Sequence, residues 1–92
     1  MDLYSIVSRN TDVLSEALDG EVVLLVPDDA YTLALNRTGA CIWALIDGQH
    51  TLAEVADAVA TDFEVDQATA CIDVLDFVAQ LAQRDLVRIA PP

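Results

Sequence analysis

A strand-to-helix junction constrains the fold of this chain more than any other segment. It runs from Leu35 through Asn36 to Trp43 and ends shortly before Gly48. Asn36 suits the N-cap position, because its side-chain oxygen can accept a hydrogen bond from a free backbone N–H of the first turn. Glycine tolerates the left-handed conformation that often follows a helix, so Gly48 indicates a stop. The segment therefore predicts a strand followed by a helix over about residues 37–46.

Two further helices are predicted after this junction. Thr51 and Glu54 have the spacing of a capping box, in which each side chain bonds the other residue's backbone N–H. Asp66 is a suitable N-cap for a longer helix. These signals predict helices over about residues 51–61 and 66–84.

Three short apolar runs before the helices predict a small antiparallel sheet. Asp19-Gly20 separates residues 13–18 from residues 21–26 and is a strong signal for a tight hairpin with a primed turn. Pro27-Asp28-Asp29 marks a second turn before a third strand over residues 30–35. We therefore predict an α+β fold that is winged helix-turn-helix-like, with a three-stranded antiparallel sheet followed by three helices.

Composition limits the partners that this chain can bind. Its 92 residues are 54% hydrophobic, which predicts a single folded domain over residues 1–92. Sixteen acidic residues against four arginines and no lysine give a net charge of −12. Such a surface repels phosphate, so we expect neither nucleic acid nor an anionic membrane as a partner.

The absence of a membrane-spanning run and of a secretory signal pattern predicts the cellular compartment. No apolar run approaches the roughly 20 residues that cross a bilayer, and residues 1–10 lack the pattern of a secretory signal. We expect a cytoplasmic protein whose cysteines are reduced.

No motif in the sequence indicates catalysis. Cys41, Cys71 and His50 supply three ligands where a structural zinc site needs four. There is no phosphate-binding loop and no nucleophile-base pair. We expect His50 to be an exposed turn residue and Trp43 to lie in the core. The prediction is a protein that is not an enzyme and has no cofactor and no metal site.

The third predicted helix has a narrow polar face and a wide apolar one. At 100° per residue, six polar residues share an arc of roughly 100°. They are Thr69, Asp73, Asp76, Gln80, Gln83 and Arg84. One neighbouring element cannot cover the remaining circumference. Helix and sheet together can bury it, two copies can dimerise through it, or one apolar flank can line a groove beside the third strand.

A groove beside a free strand edge would suit a peptide. An extended peptide can add to such an edge through main-chain hydrogen bonds, while its side chains enter apolar pockets beside the helix. Periodicity leaves open which flank of the helix faces the groove. The alternatives are the flank of Ala70, Phe77 and Leu81 and the flank of Ile72, Leu75 and Ala79.

An ordered set of motifs gives the chain a family resemblance. The motifs are Gly20 with the strand after it, Tyr31-x-Leu33-x-Leu35-Asn36, Thr38-Gly39, Ile42-Trp43, Asp47-Gly48-x-x-Thr51 and Asp73-Val74-x-x-Phe77-Val78-x-x-Leu81. In this order and spacing they resemble the PqqD-like family over most of the chain. Asp85 departs from the family pattern, in which a glycine is common at that position.

The resemblance implies a non-catalytic, leader-peptide-binding function. PqqD-like domains are winged helix-turn-helix folds that bind the leader segment of a ribosomally made precursor peptide as an added strand. They act as peptide chaperones that present the precursor to a modifying enzyme, which is a radical-SAM protein in pyrroloquinoline quinone biosynthesis. In lasso-peptide maturation the partner is a leader protease, and this is the alternative pathway.

By resemblance, the peptide-binding residues are expected on the third strand and the third helix. They are Ala30, Tyr31, Thr32, Leu33, Ala34, Leu35, Val74, Leu75, Phe77, Val78 and Leu81. None of them is expected to be catalytic.

Two other classes of function fit a small domain of this kind. A winged helix can be a transcription factor, but its recognition helix would need cations, and the third helix offers only Arg84. The chain could instead be a structural adaptor that forms a homodimer or docks to a larger enzyme through the third helix, with the strand edge unused. Binding of leader peptides would separate the first prediction from the adaptor.

Overall fold

The fold consists of six strands and three helices in the part of the chain that the structure describes. The structure is a computed structural model and describes residues 1–19, 21–26 and 31–90. The strands are β1 (Ile6–Arg9), β2 (Leu14–Leu18), β3 (Glu21–Val26), β4 (Tyr31–Leu35), β5 (Asp47–Thr51) and β6 (Val87–Ile89). The helices are α1 (Arg37–Leu45), α2 (Leu52–Asp62) and α3 (Gln67–Gln83).

The first sheet has the antiparallel order β2-β3-β4 and contains the three predicted strands. In the β2–β3 hairpin, Leu18 lies opposite Glu21, and Asp19 has a φ of 51°. This positive φ is what a primed turn requires at its first central position. The pairing of Leu24 with Leu33 and of Val22 with Leu35 then aligns β4 along β3. Of the predicted third strand, Ala30 lies outside the described residues.

The second sheet, with the antiparallel order β5-β1-β6, was not predicted. In it β1 pairs with β6 through Ser8 and Arg88 and with β5 through Ile6 and Thr51. The predicted stop at Gly48 also needs correction. Helix α1 ends at Leu45 with Ile46 as its C-cap, and Gly48 has a φ of 82° within β5.

The three predicted N-caps are confirmed. The side chain of Asn36 accepts a hydrogen bond from the N–H of Gly39 at 2.8 Å. Thr51 and Glu54 form both bonds of a capping box at the start of α2. Asp66 accepts a bond from the N–H of Thr69 at 2.7 Å and begins α3. Since each cap rests on residues a few positions apart, the sequence alone was sufficient to find it.

Asp85 occupies the position where the resemblance implies a glycine. It has a φ of 58°, and its N–H and that of Leu86 bond the carbonyls of Ala82 and Leu81 in a Schellman arrangement. The side chain of Asn10 donates to the Asp85 carbonyl at 2.8 Å. Aspartate tolerates this left-handed conformation better than most residues do, so the helix still ends as a glycine would end it.

The core lies where α1, α2 and α3 meet the inner faces of both sheets. Its fully buried members include Leu24 on β3, Ile42 on α1, Val55 on α2 and Val74 on α3. Trp43 is 4% exposed, as predicted, and within the described residues its Nε1 has no hydrogen-bond partner. The predicted α+β class is confirmed, with the two sheets contributing six strands instead of three.

Candidate functional site

A groove separates strand β4 from helix α3. It encloses about 160 Å³. One wall is formed by the C-terminal half of β4 and the other by the C-terminal half of α3. The lining residues are Leu33, Ala34, Leu35, Asn36, Phe77, Gln80, Leu81 and Arg84. The floor is apolar and the rim is polar, which is typical of a site for a side chain with an apolar body.

Strand β4 is an edge strand of its sheet, since among the described residues it pairs only with β3. The β2–β3 register shows which of its amides are free. Leu18 and Glu21 face each other across a two-residue turn, so they form a hydrogen-bonded pair. Along antiparallel strands, hydrogen-bonded pairs alternate with pairs that are not hydrogen-bonded to each other. On β3, the amides of Val22, Leu24 and Val26 therefore point toward β4.

The same alternation carries over to β4. Leu33 and Leu35, opposite Leu24 and Val22, use their backbone groups to bond β3. Thr32 and Ala34 belong to the other set, so their N–H and C=O groups point away from β3 toward the free edge. Both residues are exposed. Among the described residues neither position has a strand partner on that side, and Ala34 also lines the groove.

The groove continues past the end of β4 as a second section of about 280 Å³. This section lies between the first turn of α1 and the middle of α3, and Asn36, Phe77 and Gln80 belong to both sections. Its other lining residues are Thr38, Gly39, Ile42, Asp73 and Asp76. The two walls of the groove therefore run in opposite directions: the sequence proceeds from β4 into α1 on one wall, and from Arg84 back toward Asp73 on the other.

Gly39 keeps the second section open beside the ring of Phe77. A Cβ at this position would lie 3.2 Å from Phe77 Cζ and 3.3 Å from Asn36 Oδ1. Both distances are shorter than ordinary van der Waals contact, so a larger residue would displace the ring or the cap. Because Gly39 has no side chain, the N-terminus of α1 can approach α3 closely.

Charges differ between the two ends of the groove. Arg84 lies in the first section, and Asp73 and Asp76 lie in the second. Across the described residues, the one ion pair joins His50 and Asp47. The three charged side chains of the groove therefore have no ionic partner within the described part of the protein.

Of the predicted site residues, five line the groove. These are Leu33, Ala34, Leu35, Phe77 and Leu81. Thr32 is exposed on the free edge, and Tyr31 pairs with Val26 through its backbone. Helix α3 therefore turns its Phe77 and Leu81 flank toward β4, while Ile72 on the other flank is 66% exposed.

Three predicted helix residues lie outside the groove, and Ala30 is outside the described residues. Val74 and Val78 are fully buried in the core, and Leu75 is half-buried away from the groove lining. Their apolar character indicated burial but could not distinguish core from groove. The sequence missed the polar lining residues Asn36, Gln80 and Arg84, although the last two stand out on the predicted polar arc of the helix.

The groups with shifted pKa values lie outside the groove lining. A hydrogen bond between His50 and Asp47, at 2.9 Å, raises the pKa of His50 and lowers that of Asp47. His50 is half-buried in β5, which corrects the predicted turn position. Partial burial, with Asp62 nearby, raises the pKa of the Cys41 thiol, so the thiolate is disfavoured.

Two kinds of feature are absent from the described residues. Their His, Cys, Asp and Glu side chains form no group of three that could hold a metal ion. Their helices are too short or too polar to cross a membrane.

Comparisons with known proteins agree with this architecture. The TbiB1 structure, solved in complex with the TbiAβ leader peptide, is 31% identical, with a TM-score of 0.80 over 88% of this chain and 94% of that one. A lasso peptide synthetase B1 complexed with its leader peptide shares the fold at 23% identity, with a TM-score of 0.81 over 90% and 98% of the two chains. No curated protein sequence matches the chain. The family model for coenzyme PQQ synthesis protein D (PqqD) matches residues 21–87, and the chain belongs to the PqqD family.

Proposed function

We propose that this protein is a non-catalytic peptide-recognition domain that binds the leader segment of a precursor peptide and presents the precursor to a modifying enzyme. The observation that carries the proposal is the free edge of β4 beside the groove. An edge with unpaired N–H and C=O groups next to an apolar cleft is what strand addition requires.

The register describes how a leader would bind. Its backbone would pair with the outward-facing groups of Thr32 and Ala34 and become a fourth strand beyond β4. Successive side chains of a strand point to opposite faces, so every second leader side chain would point into the groove. There it would pack against Phe77 and Leu81, which form the apolar part of the opposite wall. Main-chain bonds would supply affinity and the pocket would supply selectivity.

The relatives support the nature of the ligand. TbiB1 was solved with a leader peptide bound, and it is similar to this chain over almost the whole of both molecules. A lasso peptide synthetase B1, which shares the fold, was also solved with a leader peptide. A lasso-peptide pathway is the first candidate on this ground, with a leader protease as the receiving enzyme. A pyrroloquinoline quinone pathway, with a radical-SAM enzyme, is the second candidate because of the family to which the chain belongs.

An NMR titration of the isotope-labelled protein tests the proposal. The ligands are synthetic leader peptides from lasso and pyrroloquinoline quinone pathways, with the TbiAβ leader among them. We expect saturable shifts of the amides of Thr32, Ala34, Phe77 and Leu81. The amide of Ala17 serves as the internal control, because it lies on the other edge of the same sheet.

Two results would contradict the proposal. Silence of the folded protein toward every leader would favour a structural adaptor. Shifts confined to the flank of Ile72 would mean that the peptide binds α3 without adding to the sheet.

A further inference from the structure

One polar stripe runs along the groove side of α3. It contains Asp73, Asp76, Gln80 and Arg84, which are spaced three or four positions apart and therefore lie on one helix face. The stripe is acidic at its N-terminal end and basic at its C-terminal end, with the neutral amide of Gln80 between them. The four side chains are exposed, so a bound peptide can reach them.

The length of the stripe matches a short extended segment. Eleven positions separate Asp73 from Arg84, and at 1.5 Å per residue this is about 16 Å along the helix. A strand advances about 3.3 Å per residue, so four positions span about 13 Å, which is close to the roughly 12 Å along the helix from Asp76 to Arg84. Residues four positions apart point to the same face of a strand, so both charged side chains can enter the groove. The part of the peptide beside Arg84 would pair with β4, and the part beside Asp73 and Asp76 would extend past the end of β4 along the first turn of α1.

Arg84 is unusual in this protein. The chain has four arginines against sixteen acidic residues, and among the four only Arg84 lines the groove. The overall charge of −12 attracts a basic peptide wherever its lysines are placed. The order of charges within a peptide is a different property, and only a local asymmetry such as the stripe can sense it.

We infer that the groove selects leaders by the order of their charges: a basic residue beside Asp73 and Asp76, and an acidic residue four positions away beside Arg84. This rests on the proposed strand addition. Antiparallel pairing is slightly more stable per residue than parallel pairing. It puts the N-terminal side of the peptide next to Asn36 and the acidic section, so the basic residue comes first in the peptide.

Two synthetic peptides of identical composition test the inference. Both have blocked ends and the same core of alternating leucine and threonine. One carries lysine before the core and glutamate after it, four positions apart so that both side chains share one face of the strand, and the other carries them in the opposite order. Their equal net charge cancels the general attraction to an acidic protein.

We expect the lysine-first peptide to bind about fivefold more tightly than its twin, as judged by the shifts of the Thr32 and Ala34 amides. In 1 M salt, where the Debye length is about 3 Å, this preference should largely disappear. The double variant Asp73→Asn/Asp76→Asn should also reduce it. The control variant Asp57→Asn/Asp62→Asn removes two charges from exposed positions of α2 outside the groove, and it should retain the preference.

Three outcomes would overturn the inference. Equal affinity for both peptides would show that charge order is not recognised, while strand addition itself would stand. A preference for the glutamate-first peptide would contradict the inferred order of basic before acidic. If the protein binds a natural leader but neither test peptide, recognition by charge order is also refuted. If it binds no natural leader either, the proposed function is refuted.

Discussion

Ala34→Pro removes one main-chain donor from the free edge of β4, and we expect it to abolish most of the leader binding. A main-chain hydrogen bond contributes about 0.5 to 1.5 kcal/mol net, which corresponds to about 2- to 12-fold in affinity. The proline ring also occupies the space that the carbonyl of an incoming strand would fill. We therefore expect at least a tenfold loss, measured by NMR titration with the tightest-binding leader.

The same variant should remain folded. The amide of Ala34 points away from β3, so proline breaks no bond of the sheet. Proline fixes φ at about −65°, which lies at the margin of the strand region. It also restricts the preceding residue, Leu33, to extended conformations, and Leu33 is already extended in β4. We expect the free energy of unfolding to fall by about 1 kcal/mol or less, measured by urea denaturation.

Two control variants distinguish strand addition from a general effect of proline. Ala17→Pro makes the identical substitution at an exposed alanine whose amide points out from the opposite edge of the sheet, on β2. It should leave leader binding unchanged. Leu33→Pro removes an amide that bonds β3 and should destabilise the fold far more. If Ala34→Pro folds and binds leaders as the wild type does, strand addition at β4 is wrong.

Other substitutions test the groove wall and the caps. Phe77→Ala should weaken leader binding about tenfold because it removes the ring that both groove sections share, whereas Ile72→Ser on the other flank should not change the same titration. Asn36→Ala should lower the free energy of unfolding by about 1 kcal/mol in urea, since it removes the N-cap of α1. Hydrogen bonds from Thr69 hold the pKa of Asp66 below its usual value of 3.8, so its contribution is present at neutral pH and is lost as the pH falls through the lowered pKa. Melting temperatures recorded from neutral to acidic pH should therefore fall less steeply for Asp66→Asn.

Local signals predicted the elements that border the groove. The N-caps of the three helices and the β2–β3 turn each depend on residues within a few positions, and all were found in the sequence. The polar face of α3 was also predicted correctly, since its six members are exposed. A helix face is a property of periodicity alone, so no partner had to be known.

Nonlocal pairing explains what the sequence did not show. Strand β5 is Asp47-Gly48-Gln49-His50-Thr51, which has none of the apolar alternation of a strand, and it is extended because β1 pairs with it. The groove-facing flank of α3 was undecided for a similar reason. It depends on the approach of Gly39 to Phe77, a contact between residues 38 positions apart. Val74 and Phe77 are both apolar, so the sequence does not distinguish them. Their different positions, Val74 in the core and Phe77 in the groove, result from how α1 and α2 pack around α3.

Trp43 gives this protein an intrinsic optical probe that is separate from its binding site. It is the single tryptophan of the chain, it is 4% exposed, and it lines neither section of the groove. Its emission should therefore respond to unfolding and stay unchanged when a leader that lacks tryptophan binds. A ligand that binds only the folded state stabilises it by about 2.7 kcal/mol at a concentration of 100 times its Kd. Melting curves followed by Trp43 fluorescence can thus rank unlabelled leaders by affinity, with the core reporting on an event that takes place at the edge of a sheet.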